Sequence, residues 1–311
     1  MDAVMGSDNE QRRQGVRSPA PWTAAGLAIA MGTVLWIAPG RPAQPDNLAL
    51  ELKIAQLSSE VHGLRQEQAM PVVVLNQHRD SIGYLYGEYS FRGHKRTRLS
   101  GTGFVVGNGL LATNRHVAEP WFEDPEAEML MRRGAQPRLE KMLAFFPGMS
   151  KGLEVTGVTV SPDEDLAVAR FDAQQADREL AALPLAARPG VPGDPVVVVG
   201  YPMGIAAMVA KSPRPVYRRL VQRTEDMAVA SELASLSLIR PSATFGHLGD
   251  VVDEKLIYDA VTAHGGSGGP VFNARGEVIG VNTAYLDGFS GSTLGVSVTA
   301  LHALVETAQQ R

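Results

Sequence analysis

His264-Gly265-Gly266-Ser267-Gly268-Gly269-Pro270 decides how this chain is read. Four of the seven residues are glycine. Bare backbone of this kind is placed where the chain must approach something closely or turn in ways a side chain forbids. A serine set within it suits nucleophilic acyl chemistry. Its hydroxyl stands exposed, and neighbouring backbone N–H groups can converge on a developing oxyanion. Such a serine needs a base, and the base needs a carboxylate to orient it.

The base is expected at His116, in Gly101-Thr102-Gly103-Phe104-Val105-Val106-Gly107-Asn108-Gly109-Leu110-Leu111-Ala112-Thr113-Asn114-Arg115-His116-Val117. Two apolar runs flank Gly107-Asn108-Gly109, and Asn-Gly between such runs predicts a hairpin. His116 then follows the second strand, where a loop or short helix begins. The carboxylate is expected at Asp165, in Ser161-Pro162-Asp163-Glu164-Asp165-Leu166-Ala167-Val168. There an acidic turn leads into an apolar strand. Asp163 and Glu164 read as solvated turn residues. The chain order His, Asp, Ser is one of several in which the same triad geometry occurs on unrelated folds.

At these residues the chain resembles the HtrA/DegP type of trypsin-like serine peptidase. Thr113-Asn114-Arg115-His116-Val117 is similar to the T-N-x-H-V of that family. Asp165-Leu166-Ala167-Val168 resembles its D-[IL]-A-[VL], and Asp259-Ala260 with Gly265–Pro270 resembles its D-A and G-N-S-G-G-P. Val278-Ile279-Gly280-Val281-Asn282-Thr283 is similar to the strand that follows. The resemblance covers residues 100–300. It implies a mainly β fold of two six-stranded, chymotrypsin-like barrels, with His116, Asp165 and Ser267 meeting in the cleft between them. It also implies an oxyanion hole from the N–H groups of Gly265 and Ser267, with Gly266 between. Substrates would be proteins or peptides, and neither metal nor organic cofactor is expected. The substrate pocket is expected from Val261, Thr262, Ala263, His264, Val281, Asn282 and Thr283. None is acidic, so Lys/Arg specificity is not expected. One departure stands out: the family usually has Asn or Asp before the serine, and this chain has Gly266. Two adjacent glycines predict an easily flipped peptide and a low basal rate. No PDZ domain is expected after the closing segment.

Composition sets further bounds. The 311 residues carry 29 Lys+Arg against 33 Asp+Glu, a net charge of −4 that gives no sign of a nucleic-acid partner. With no cysteine, disulfides and cysteine metal sites are excluded. The histidines show no metal-ligand spacing such as H-E-x-x-H. Arg92, His94, Lys95, Arg96 and Arg98 read as a solvated hairpin end, with a phosphate or headgroup patch as the alternative.

Residues 1–21 read as a cytoplasmic tail. Trp22 to Ala38 is an uncharged, largely apolar run of 17 residues, at the short end for a membrane span. Trp22 and Trp36 lie near its ends, and Arg12, Arg13 and Arg17 precede it. An uncleaved, single-pass inner-membrane anchor is therefore expected, with the catalytic part on the periplasmic side. A cleaved signal peptide is the alternative. Residues 39–69 read as a linker followed by a short stalk. Leu50, Ile54, Leu57, Val61 and Leu64 recur at spacings 4, 3, 4, 3. This fits a short oligomerising coiled coil within 50–64, or an amphipathic helix on the body.

Residues 70–310 read as the peptidase-like domain, with one barrel over 70–188, a second over 195–300 and a closing helix over 298–310. Strands are expected at 72–75, 82–91, 103–106, 110–113, 142–146, 155–160, 166–171, 196–200, 255–258, 270–273, 278–282 and 294–298. The Pro/Gly-rich segment 189–195 divides the barrels. Helical insertions are expected at 124–133 and 215–239, as cleft-bordering gates or as surface decoration. Two rivals to an enzyme are a peptide-binding pseudoprotease and a membrane-anchored oligomeric scaffold.

Overall fold

Val196-Val197-Val198-Val199 shows how the sequence builds this fold. Successive side chains of a strand point to opposite faces. Val196 and Val198 enter one barrel's interior with Leu256, Tyr258, Val271 and Ile279. Val197 and Val199 face outward into a core shared with Tyr84, Phe104 and Phe145 of the other barrel. Both faces are covered, so the run is apolar throughout instead of alternating.

The computed structural model describes residues 46–91, 97–285 and 292–310. The expected membrane span at 22–38, the linker from 39 to 45 and most of the Arg92–Arg98 stretch lie outside the described residues. Among the described residues no helix is long and apolar enough to cross a membrane. The chain divides into two units, residues 1–53, of which the described part is the start of one helix, and residues 54–311.

In the larger unit, strands β1 (Ile82–Phe91), β2 (Thr97–Gly107), β3 (Leu110–Thr113), β4 (Pro137–Phe145), β5 (Leu153–Val160) and β6 (Ala167–Phe171) close a barrel in the order β1-β2-β3-β6-β5-β4. Strands β7 (Pro195–Gly200), β8 (Ser242–Val252), β9 (Lys255–Tyr258), β10 (Pro270–Phe272), β11 (Val278–Tyr285) and β12 (Thr293–Ser297) close a second, in the order β10-β11-β12-β9-β8-β7. All ladders are antiparallel. Leu85, Val105, Leu111, Phe146 and Phe171 fill the first interior.

The helices are α1 (Asp46–His78), α2 (Arg115–Ala118), α3 (Pro125–Arg132), α4 (Gly204–Ala210), α5 (Arg214–Leu220), α6 (Asp226–Ser235) and α7 (Val298–Gln309). The expected strand at 72–75 is instead the end of α1. Met70 and Val74 are buried four residues apart, a helical period, and His78 stacks on Phe272 with ring centroids 5.0 Å apart. Leu50, Ile54, Leu57, Val61 and Leu64 are exposed on α1. The sequence reading missed β8, whose Gly246, Gly249 and charged Asp250 obscure the alternation, and α4. The 124–133 helix, the two helices within 215–239 and the closing helix are found.

Candidate active site

Strand pairing brings the first two site residues together. β3 and β6 are neighbours in register Thr113↔Ala167. His116 lies three residues after the first of these, and Asp165 two residues before the second. The short helix α2 turns the imidazole back over β6. Gly101 lies beneath it, where an added Cβ would meet Val117. His116 Nδ1 lies 2.7 Å from Asp165 Oδ2, and the His116 backbone N–H donates to Asp165 Oδ1 at 2.9 Å. Asn114 Nδ2 donates to the Asp165 carbonyl at 2.8 Å, which fixes the acidic turn. Asn114 was not anticipated as a site residue, although it stands inside the quoted motif.

Burial alone would raise the Asp165 carboxyl. The His116 hydrogen bond and charge, the Thr283 hydroxyl and the His116 N–H outweigh it, and the carboxyl is held below the usual range. Thr283 Oγ1 donates to Asp165 Oδ2. Its carbonyl accepts from Ser267 Oγ at 2.8 Å. One residue of β11 therefore touches both the carboxylate and the serine. In this resting arrangement the serine hydroxyl rests on Thr283 and must rotate to hand its proton to an imidazole. Such looseness is common before a substrate is bound.

The glycine-rich loop is anchored by its carbonyls. The His264 carbonyl accepts from Met203 N–H at 2.6 Å, that of Gly265 from Thr102 Oγ1 at 2.7 Å, and that of Gly266 from Asn282 Nδ2 at 2.9 Å. In a planar trans peptide the N–H points opposite to the C=O. Holding the carbonyls of His264 and Gly266 therefore fixes the N–H groups of Gly265 and Ser267. The Gly266 N–H donates to the Ala263 carbonyl at 2.8 Å. Gly265 has φ +90° and Gly268 φ +85°, values that favour glycine. Thr102 N–H also donates to the Ser267 carbonyl at 2.8 Å, so β2 of one barrel holds the loop of the other.

The expectation of an easily flipped Gly265–Gly266 segment is thus corrected. Neighbouring groups hold the peptides that glycine leaves free. A Cβ on Gly266 would meet the Thr262 hydroxyl, and would lie 3.0 Å from the Ala263 carbonyl.

The remaining expected residues divide. Thr262, Ala263 and Thr283 are half-buried at the loop, and Val261 and His264 are exposed. Val281 is fully buried in the core shared between the barrels. Asn282 is also fully buried. Its amide supports Gly266 and accepts from Tyr258 Oη at 2.7 Å, so it acts on the loop and not on a substrate side chain. Asp259 accepts from His247 N–H at 2.6 Å, a structural role in barrel two. Among the described residues no group of three or more His, Asp or Glu side chains could hold a metal ion. Thr102 and Met203 were missed, and neither had a sequence signal beyond nearby glycine.

A family model described as a trypsin-like peptidase domain matches residues 101–281. HhoA of Synechocystis, a serine protease by name, is 28% identical over 215 residues, covering 68% of this chain and 44% of its own. The mitochondrial serine protease HTRA2 of Bos taurus is 30% identical over 201 residues, 64% of this chain and 34% of its own. A DegP-like periplasmic serine endoprotease of Rhizobium meliloti is 29% identical over 215 residues, 66% of this chain and 31% of its own. The chain thus spans less than half the length of these relatives. A crystal structure of the M. tuberculosis protease Rv3671c in its active form matches with TM-score 0.50 and 18% identity, covering 75% of this chain and 82% of that one, a likeness in fold alone.

Proposed function

This chain belongs to the trypsin-like peptidase family, and from that premise we propose that it is a serine endopeptidase acting on unfolded or exposed protein segments. The observation that supports it is Thr283, whose hydroxyl bonds the Asp165 carboxylate that holds His116 and whose carbonyl accepts from Ser267 Oγ, with the N–H groups of Gly265 and Ser267 fixed by anchored carbonyls. Ser267 Oγ attacks the scissile carbonyl while His116 takes its proton. Asp165 holds the Nδ1–H tautomer and stabilises the imidazolium. The N–H groups of Gly265 and Ser267 receive the oxyanion. His116 then returns the proton to the leaving amine, and water repeats the sequence on the acyl-enzyme.

The catalytic part works outside the cytoplasm, tethered to the inner membrane through residues 22–38. The apolar run there supports this, as does the periplasmic name of the Rhizobium relative. The exposed seam Leu50–Leu64 is the candidate contact between copies. Ser267→Ala and His116→Ala should each abolish hydrolysis of an unfolded protein while leaving the circular dichroism spectrum intact. Full hydrolysis by either variant would refute the assignment.

A further inference from the structure

A cavity of about 570 Å³ opens between the β1–β2 ribbon and helices α4, α5 and α6. That is within the range of sites that take small ligands or large side chains. Its floor is apolar and aromatic, with Tyr84, Leu220 and Val229 all nearly inaccessible to solvent. Its mouth carries Met203, Tyr217 and Val221, 61%, 40% and 49% exposed. These three large side chains place apolar surface around one opening. The charges near the mouth are paired internally. Arg98 meets Asp226 at 3.3 Å, and Arg223 meets Glu232 at 2.7 Å. The cavity therefore makes no demand for a charged occupant.

Its position names the occupant. Met203 and Gly204 line the cavity, and the Met203 N–H holds the His264 carbonyl behind the expected oxyanion site. Ser100, also lining it, stands two residues before Thr102, which binds the carbonyls of Gly265 and Ser267. The glycine loop has two faces. A Cβ on Gly265 would meet Tyr201 and Gly204, whereas one on Gly266 would meet Thr262 and Asn282. The acyl side of a substrate belongs with the second face, beside Thr262 and Thr283. The cavity lies along the first. Met203 itself holds a left-handed φ of 63°, a conformation a non-glycine residue keeps only when its surroundings enforce it.

We infer that this cavity binds a bulky apolar or aromatic side chain of the polypeptide substrate, one to three residues beyond the scissile bond on the leaving-group side. The inference rests on the endopeptidase reading above. It makes helices α4, α5 and α6 a specificity element built onto the barrels.

The test uses internally quenched peptides with a constant acyl side and Gly, Leu or Phe at each of the three positions after the cleaved bond. The full chain should prefer Phe or Leu over Gly at one position by about 10- to 100-fold in kcat/KM, the scale an apolar pocket confers. Ala206→Trp, which fills the cavity from α4, and Val221→Asp, which charges its mouth, should each reduce that preference to about 3-fold or less. A fluorophosphonate probe applied to the same preparations reports Ser267 separately. A labelled wild-type enzyme with no apolar preference overturns this inference alone, as does a preference unchanged in both variants. An unlabelled wild-type chain overturns the endopeptidase reading and the inference with it.

Discussion

Thr102 links the two barrels at the site, and removing its hydroxyl tests whether the oxyanion loop is held from outside. Its Oγ1 donates to the Gly265 carbonyl at 2.7 Å and accepts from the Tyr201 N–H at 3.0 Å. Thr102 is fully buried and Tyr201 nearly so. Thr102→Val preserves shape and strands one buried carbonyl and one buried N–H. At about 1–3 kcal/mol for each orphaned group, the variant should lose about 2–6 kcal/mol of stability. The catalytic loss has a separate ceiling. Full loss of one oxyanion donor costs about 10²–10³ in kcat. Met203 and Asn282 still hold the adjoining carbonyls, so a kcat loss of about 10- to 100-fold is expected, below that ceiling. KM should change little, because the hole acts on the transition state. Thr102→Ser keeps both hydrogen bonds and should stay within about 3-fold of wild type, losing about 0.8 kcal/mol of stability for the methyl. The assay is steady-state hydrolysis of a short fluorogenic peptide, with urea unfolding alongside. A folded Val variant with full kcat, or a Ser variant as impaired as Val, refutes the reasoning.

Two further outcomes follow from the same contacts. Asp165 has a depressed carboxyl in the folded state, so its contribution to stability is complete above the ordinary value near 3.9 and disappears as pH falls through the lower folded value. Thr283→Val removes one stabilising hydroxyl, and its destabilisation should be about 1.5–3 kcal/mol at pH 7 and shrink as pH falls through the lowered folded value; a loss in urea unfolding that stays constant throughout the acid range would contradict this. Gly266→Asn, which restores the side chain common in the resembled family, should lower kcat because its Cβ meets Thr262 and Ala263. Pairing it with Thr262→Ala should recover part of the rate, whereas a gain from Gly266→Asn alone would mean that the loop is not fixed.

Much of the fold was legible because each barrel strand announces itself locally. β1, β3 and β9 match their expected limits, since short apolar runs there end at clear turns. His116 and Asp165 were legible because each adjoins a strand, and the pairing of β3 with β6 converts that adjacency into contact. The illegible parts depend on long-range partners. Residues 72–75 look like a strand by composition, yet continue α1 because Met70, Val74 and His78 find cover on one side. The anchors of the glycine loop come from β2, from the turn before α4 and from β11, up to 163 residues away in sequence. Nothing local to Gly265-Gly266 marks them. Val281 and Asn282 sit in the strand expected to line the pocket, but alternation sends Val281 into the core, and Asn282 turns to the Gly266 carbonyl.

The central claim is that Ser267 is a nucleophile activated by His116. Its most direct test is intact-mass and peptide-level detection of covalent labelling by a fluorophosphonate probe. One adduct is expected, located on Ser267, absent from Ser267→Ala and strongly slowed in His116→Ala. A wild-type chain that stays unlabelled, or a Ser267→Ala chain that labels as fast as wild type, would contradict it.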